Sequence, residues 1–254
     1  DRELPQQSHG YALIPGPLGG LGRAMTQRLL QQGHPIIACD RRESAADEWL
    51  KQLTAEQRGR VSFYPLDVRK EDQVNALAQE LGKKNIHVAY LINDAGIRSA
   101  GEAWAVESRD WERTLGVTQH GTFYLTRAFS RAMVERKFGR IVNIASAYAY
   151  IPGSGESPYA AAKAGITGYT RAIARELAPH GITVNVIAPG VIWHERIKDV
   201  LTEEVYAQLL RDAPIGRFGR PEEIAATVAF LCSDDASYIV GQTIHVNGGL
   251  YLPG

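Results

Sequence analysis

The sequence predicts an α/β chain, built as a doubly wound parallel sheet with helices on both faces. Three observations carry this. Short apolar, β-branched runs recur seven times along the 254 residues. They are apolar on both faces, as strands covered on both sides require, and longer stretches of helical pattern separate them. The first run also leads directly into a glycine-rich turn that opens a helix, "IPGPLGGLG" at 14–22. In such folds ligands bind at the carboxyl ends of the strands, so the residues just after each strand matter most.

In order, the first strand is "GYALIP" (10–15), closed by Pro15, and the glycines open a helix near 20–32. "PIIACD" (35–40) is the second strand, ending in Asp40, with a helical stretch at 44–57 behind it. "VSFYPLD" (61–67) precedes a helix at 71–83, and "VAYLIN" (88–93) precedes a long one at 108–137. "GRIVNIA" (139–145) leads to a helix at 158–178, and "ITVNVIA" (182–188) to one at 221–233. "QTIHVNG" (242–248) is the last strand.

The bulk numbers narrow the function. No Ser/Pro-rich linker, repeat or charge block divides the chain, so a single domain over 1–254 is expected, with a polar, flexible start at 1–9. Lys plus Arg number 28 against 28 Asp plus Glu, which leaves no electrostatic footprint for nucleic acid or an anionic membrane. No apolar run approaches the ~20 residues of a membrane span. Cys39 and Cys232 stand far apart, outside any C-x-x-C, and the seven histidines are scattered. Neither a disulfide framework nor a metal site is expected, and the cytoplasm is the default location.

Gly16, Gly20 and Gly22 are spaced for backbone to crowd against a dinucleotide pyrophosphate at the N-terminus of a helix. Pro15 and Pro17 flank the first of them and each removes a backbone donor. Pro15 ends a strand, so its missing N–H need cost nothing; Pro17 stiffens the turn. Asp40 lies about 20 residues on, where a carboxylate accepts from ribose hydroxyls and repels a 2′-phosphate. It points to NAD, while Arg41 and Arg42 keep NADP open.

The sharpest signal is "SPYAAAK" (157–163). Tyr159 and Lys163 are four apart on a predicted helix and share a face. An ammonium beside a phenol favours its ionised form, as a group working near neutrality requires. Ser146 stands thirteen residues before Tyr159 at the end of the fifth strand, on the same rim.

From "ALIPGPLGGLG" to "IHVNGGL" the chain resembles the single-domain short-chain dehydrogenase/reductase family. "LINDAGI", "GRIVNIAS", "SPYAAAKAG", "ITVNVIAPG" and "GRFGRPEEIA" carry the resemblance. It implies a Rossmann-type fold with a seven-stranded parallel sheet, a nicotinamide cofactor, and hydride transfer between that cofactor and a secondary alcohol or ketone. By motif position, Ser146 holds the substrate oxygen and Tyr159 passes the proton. Lys163 tunes Tyr159 and holds the nicotinamide ribose. Asp67 and Val68 border the adenine, and Pro189–Gly190 begins a loop over the nicotinamide. Leu21, Asn93, Ala95, Gly96 and Ile192 complete the cofactor set.

Four positions depart from the family pattern. Pro15 replaces a threonine, Asp94 an asparagine thought to brace the strands, and His194 a threonine that touches the nicotinamide amide. Thr118 replaces the relay asparagine twenty-eight residues before Ser146, so a slower or rewired relay is expected. His120 or His194 offers a substitute proton path.

Arg98, Tyr148, Tyr150, Ser154, Glu156, Trp193 and His194 are expected to wall the substrate pocket. Rings mixed with hydrogen-bonding groups suit a sugar or cyclic polyol. A 3-oxoacyl thioester is the alternative, because "GRFGRPEEIA" and the tail resemble 3-oxoacyl reductases. A nucleotide-binding regulator with lost turnover is the rival from another class. Residues 193–214 are expected to form a substrate lid. A homotetramer, implied by the resemblance, would assemble through the helices near 103–137 and 158–178.

Overall fold

The computed structural model describes residues 9–194 and 202–253, so the start of the chain and residues 195–201 of the expected lid lie outside the described residues. Its seven strands are β1 (Tyr11–Pro15), β2 (Ile36–Asp40), β3 (Val61–Pro65), β4 (Val88–Asn93), β5 (Gly139–Ile144), β6 (Ile182–Pro189) and β7 (Thr243–Val246). All pair in parallel, in the order β3-β2-β1-β4-β5-β6-β7. The order reverses between β1 and β4, and the crevice of a doubly wound sheet opens at the carboxyl ends of such a pair.

Alternation along the strands divides the interior into two cores. On one face Ile14, Ile36, Ala38, Ile92 and Ile144 pack against α1 (Gly20–Gln31), α2 (Glu43–Lys51) and a late helix, Pro221–Cys232. On the other, Leu13, Ile37, Leu91, Ile141 and Val184 pack against α4 (Glu71–Lys83), α6 (Gly121–Arg136) and α7 (Ser157–Leu177). Each fully buried Leu or Ile contributes roughly 1.5–3 kcal/mol, and both faces of β5 and β6 are wholly buried. Among the described residues no helix is long and apolar enough to cross a membrane.

The strands are also tied by amides. Asn93 Nδ2 donates to Asn143 Oδ1 at 2.7 Å and to the Thr126 hydroxyl at 3.2 Å, and Asn143 Nδ2 donates to Thr170 at 2.8 Å. The strand brace therefore runs through Asn93 and does not involve Asp94. Asn93, expected at the cofactor, is 2% exposed with its amide so occupied.

Other expectations are adjusted by local chemistry. The helix read over 44–57 stops at Lys51, because Thr54 and Gln57 form a capping box that starts a separate turn, α3 (Ala55–Arg58). The third strand ends at Pro65, where Leu66 N turns to bond Asp40 O at 3.1 Å. The last strand is shorter than 242–248. The long helix read over 108–137 is α5 (Ser108–Leu115) joined to α6 by a π-helical turn, Gly116–His120. His9, expected to be frayed, stacks on Phe138 at 3.9 Å. Within the expected lid, α8 (Glu203–Asp212) is capped by Thr202; Pro221–Cys232 is α9.

Candidate functional site

Two adjoining clefts, about 400 and 410 Å³, open along the carboxyl edge of the sheet. They meet at Gly19, Asp94, Gly96 and Ile97, which line both.

The glycine turn forms the floor of this junction. Gly16 has φ +81°, and its N–H donates to Cys39 O at 2.9 Å, so Pro15 costs β1 no bond there. Gly19 caps α1 with no side-chain bond to the first turn, which leaves the helix N-terminal amides for a ligand. The three glycines have different physical roles. A side chain on Gly22 would run into the Gly16 carbonyl and stand 2.8 Å from Pro17 Cα, so Gly22 lets the helix close on its turn. A side chain on Gly20 would meet no protein atom within 4 Å. It would project into the cleft, where a bound anion needs the room. Gly16, Gly20 and Leu21 line the clefts; Gly22 lies beneath them.

Past β2 and β3 the first cleft carries two preassembled ion pairs. Arg42 grips Asp40 through Nε to Oδ1 and Nη2 to Oδ2, both at 2.9 Å, and its own N–H adds a third bond. Asp67 is held the same way by Arg69, whose guanidinium keeps its carboxyl below the usual range. Arg41, Val68, Ala95 and Arg113 line the same half. Open amides, a glycine with space above it and carboxylates at two strand ends fit an adenine dinucleotide.

The second cleft gathers Ser146, Tyr159 and Lys163 with Pro189, Gly190 and Ile192. Ser146 lies two residues past β5 and caps the short turn that follows, accepting from Tyr148 N at 3.1 Å. Lys163 Nζ donates to Ile144 O at 2.6 Å and lies 5.7 Å from the Tyr159 ring centre. Burial pulls the Lys163 ammonium down to about 8, and Asp94 pushes it back up. Burial raises the Tyr159 phenol; the Ser146 hydroxyl and then Arg98 pull it down, and Asp94 and Glu156 raise it further. Asp94 is itself raised to about 6 by burial, against the attraction of Lys163.

Thr118 sits fully buried on the π-helical turn, a distortion frequent at functional sites. Its hydroxyl accepts from Ile97 N at 3.4 Å. A side chain on Gly96 would come within 3.3 Å of Lys163 Nζ and 3.6 Å of that hydroxyl, so the three converge.

At the mouth, Arg98 Nε donates to Glu156 Oε2 at 2.9 Å and its Nη2 meets the other carboxylate oxygen. The Glu156 side chain is 5% exposed and that of Arg98 53%, so the buried carboxylate fixes a guanidinium that still faces the cleft. Tyr148 lies under Arg98 and edge-on to Tyr159 at 6.3 Å. Trp193 and His194 line the far side. Of the expected substrate residues, Arg98, Trp193 and His194 line the cleft, Tyr148 and Glu156 stand against Arg98 without lining it, and two lie elsewhere. Tyr150 turns away to stack on Tyr251 at 5.1 Å and meet His245 edge-on at 4.8 Å, because its ring completes an aromatic cluster beside β7. Ser154 is exposed in the loop before Gly155 and lines neither cleft.

The residues missed from sequence are Gly19, Ile97, Arg69 and Asp94 as a cleft-facing group. Arg69 carried a legible signal: an arginine two residues after a strand-end aspartate, the same spacing as Asp40 and Arg42.

Comparison with known proteins agrees with this geometry. A family model described as enoyl-(acyl carrier protein) reductase matches residues 16–251. The 3-oxoacyl-[acyl-carrier-protein] reductase FabG of Haemophilus influenzae is 36% identical over 241 residues, covering 95% of this chain and 98% of that protein. The same enzyme of Aquifex aeolicus is 35% identical over 94% of this chain and 96% of that protein. Among solved structures, a putative gluconate dehydrogenase from Agrobacterium tumefaciens superposes with a TM-score of 0.91, at 30% identity over 96% of this chain and 97% of that one. A gluconate 5-dehydrogenase from Burkholderia cenocepacia, solved with NADP and tartrate, gives 0.89 at 30% identity, over 95% of each chain. With a Rossmann-type sheet, a glycine turn at its switch point and a Ser–Tyr–Lys cluster beside it, the chain belongs to the short-chain dehydrogenase/reductase family of nicotinamide-dependent oxidoreductases.

Proposed function

We propose that the chain interconverts a secondary alcohol and its ketone on a sugar or cyclic polyol, with NAD(H) preferred over NADP(H). One observation carries the reading: Ser146, Tyr159 and Lys163 share one cleft, with the Ser146 hydroxyl beside the Tyr159 phenol, Lys163 Nζ 5.7 Å from the Tyr159 ring centre and Arg98 on the same lining. A bound nicotinamide supplies or accepts hydride at the substrate carbon. Ser146 donates a hydrogen bond to the substrate oxygen. Tyr159, raised by burial, holds its proton at neutral pH and delivers it to that oxygen in reduction. Lys163 stays charged below about 8, stabilises the phenolate that results, and holds the nicotinamide ribose. Thr118 holds a water for reprotonation.

The amides of Gly20, Leu21 and Gly22 would hold the pyrophosphate, with Gly16 giving the turn its shape. Asp67, Val68, Ala95 and Gly96 hold the adenosine, and Pro189, Gly190 and Ile192 the nicotinamide. Asp40 supports NAD: Arg42 fixes its carboxylate in the cleft, and that grip occupies a guanidinium otherwise free for a 2′-phosphate. Arg41 keeps NADP as the alternative cofactor. Arg98, Glu156, Tyr148, Trp193 and His194 form the substrate end.

The FabG relatives favour a second reading, reduction of a 3-oxoacyl thioester. A homotetramer is supported by Phe123 on α6, 38% exposed and edge-on to Tyr169 of α7 at 6.1 Å. Two free, buried cysteines suit the cytoplasm. The test is turnover of polyols, sugars and a 3-oxoacyl thioester with each nicotinamide cofactor. Tyr159→Phe lowers turnover by about 10²–10⁴-fold and leaves NADH affinity unchanged. Unaltered turnover in that variant would refute the mechanism, and cofactor binding with turnover of nothing would favour a regulator.

A further inference from the structure

Asp94 occupies a position where a carboxylate needs an explanation. It lines both clefts at their junction, opposite the uncapped N-terminus of α1. Its backbone N–H bonds Ile92 O at 3.0 Å. Its carboxyl receives no hydrogen bond from the described residues. The strand-bracing role that an amide could have had here belongs to Asn93 and Asn143. Asp94 is therefore half-buried, aimed at ligand space, and not held by the fold.

The charges around it are few. Lys163 of α7 acts on it directly, and Tyr159 of the same helix feels its charge. From the π-helical turn comes only the neutral Thr118 hydroxyl, beside Gly96. The first turn of α1 carries no acidic residue. Arg113 of α5, Arg41 and the Asp40–Arg42 and Asp67–Arg69 pairs stand along the adenosine half; Arg98 and His194 line the other.

We propose that Asp94 takes up a proton when a pyrophosphate-bearing cofactor enters, so that this chain ties cofactor affinity to pH. The proposal rests on the dinucleotide reading of the cleft. Two phosphate charges arriving at the junction displace the water that solvates the carboxylate and add like charge beside it. Lys163 and the α1 amides are shared with the phosphates and do not neutralise both. Binding a proton removes the conflict. A group already drawn up to about 6 in the free protein then titrates through neutrality in the complex. By linkage, uptake of one proton weakens the dissociation constant by up to about tenfold per pH unit between the two midpoints.

The test is calorimetric titration of NADH, and separately NADPH, into the full chain. Two buffers of different ionisation heat, MES and bis-Tris, are compared at pH 6.5. Dissociation constants are then followed from pH 5.5 to 7.5, over which Lys163 stays mostly charged. Wild type takes up about half a proton at pH 6.5 and binds roughly five- to tenfold more weakly at pH 7.5 than at 5.5. Asp94→Asn, which keeps the side-chain shape, loses the buffer dependence and varies less than about twofold. Its difference from wild type removes any share from His194. Tight binding with no proton uptake in wild type, or uptake that survives in Asp94→Asn, would overturn the assignment and leave the dinucleotide reading standing. Absence of NADH and NADPH binding at every pH would overturn both.

Discussion

Two glycines about three ångströms apart along the helix axis should respond to the same substitution in opposite ways. Gly22→Ala places a methyl 2.8 Å from Pro17 Cα and against the Gly16 carbonyl, both rigid backbone. Real contacts of that kind stay beyond about 3 Å, so turn and helix must separate, an overpacking cost of about 1–3 kcal/mol. For a chain of this size each kcal/mol lowers Tm by roughly 2–4 °C, giving a fall of about 2–12 °C. Gly20→Ala meets nothing within 4 Å, and replacing a flexible residue at a helix start contributes up to about 1 kcal/mol. Its Tm without cofactor holds or rises by a few degrees. Its methyl nevertheless enters the space above the turn, and NADH affinity falls at least about tenfold, or 1.4 kcal/mol. Thermal melts without cofactor and NADH fluorescence titrations read the two effects separately. A Gly20→Ala protein that binds NADH like wild type would refute the placement of the pyrophosphate on this turn.

Removing the central brace with Asn143→Leu eliminates two buried hydrogen bonds and leaves their partners unmatched. A loss of about 3 kcal/mol and a fall in Tm of roughly 6–12 °C are expected by calorimetry. Glu156→Gln loosens the fork that orients Arg98 and should raise substrate KM roughly tenfold, with kcat changed much less; steady-state kinetics decide. Lys163→Met tests a pH window. The folded ammonium titrates at about 8 against an ordinary 10.5, so between these values the unfolded chain binds more protons and wild-type stability rises with pH. Wild type should gain up to about 1.4 kcal/mol per pH unit over the variant between pH 8 and 10, measured by urea denaturation; a constant difference would contradict the burial of that charge.

The sheet was legible because both faces of β1, β2, β4, β5 and β6 are almost wholly buried, so apolar residues stand on both sides of these runs, and the few polar ones, such as Asn143, Thr183 and Asn185, are themselves buried. The positions of those five strands follow from that, whereas β3 and β7 are only partly buried; helix ends were the weaker signal. The π-helical turn at Gly116–His120 was not legible, since its residues suit an ordinary helix and only packing reveals the extra residue. The break at Thr54 was legible in principle, as T-x-x-Q is a capping signature. At the site, Ser146, Tyr159 and Lys163 share a cleft because strand end and helix face are fixed by period. Tyr150 was misjudged because two residues of a 3₁₀ turn, Ala147–Ala149, rotate neighbouring rings to opposite sides. No local pattern distinguishes Tyr148 from it. Asn93 and Asp94 raised the same difficulty: adjacent residues leaving a strand point oppositely, and which faces ligand depends on where the strand stops.

The division of the interior by the sheet has a bearing on how such a chain can change. Ile36 and Ile37 are neighbours in sequence, yet one belongs to the core beneath α1 and the other to the core beneath α4. Leu13 and Ile14 are separated in the same way. Volume lost on one side is felt by a set of side chains that the other side does not touch, so substitutions across the sheet combine almost independently. Each layer can thus drift and be repaired within itself. A lineage can remodel the helices of one face while the other keeps the strand ends, and the groups they carry, in register.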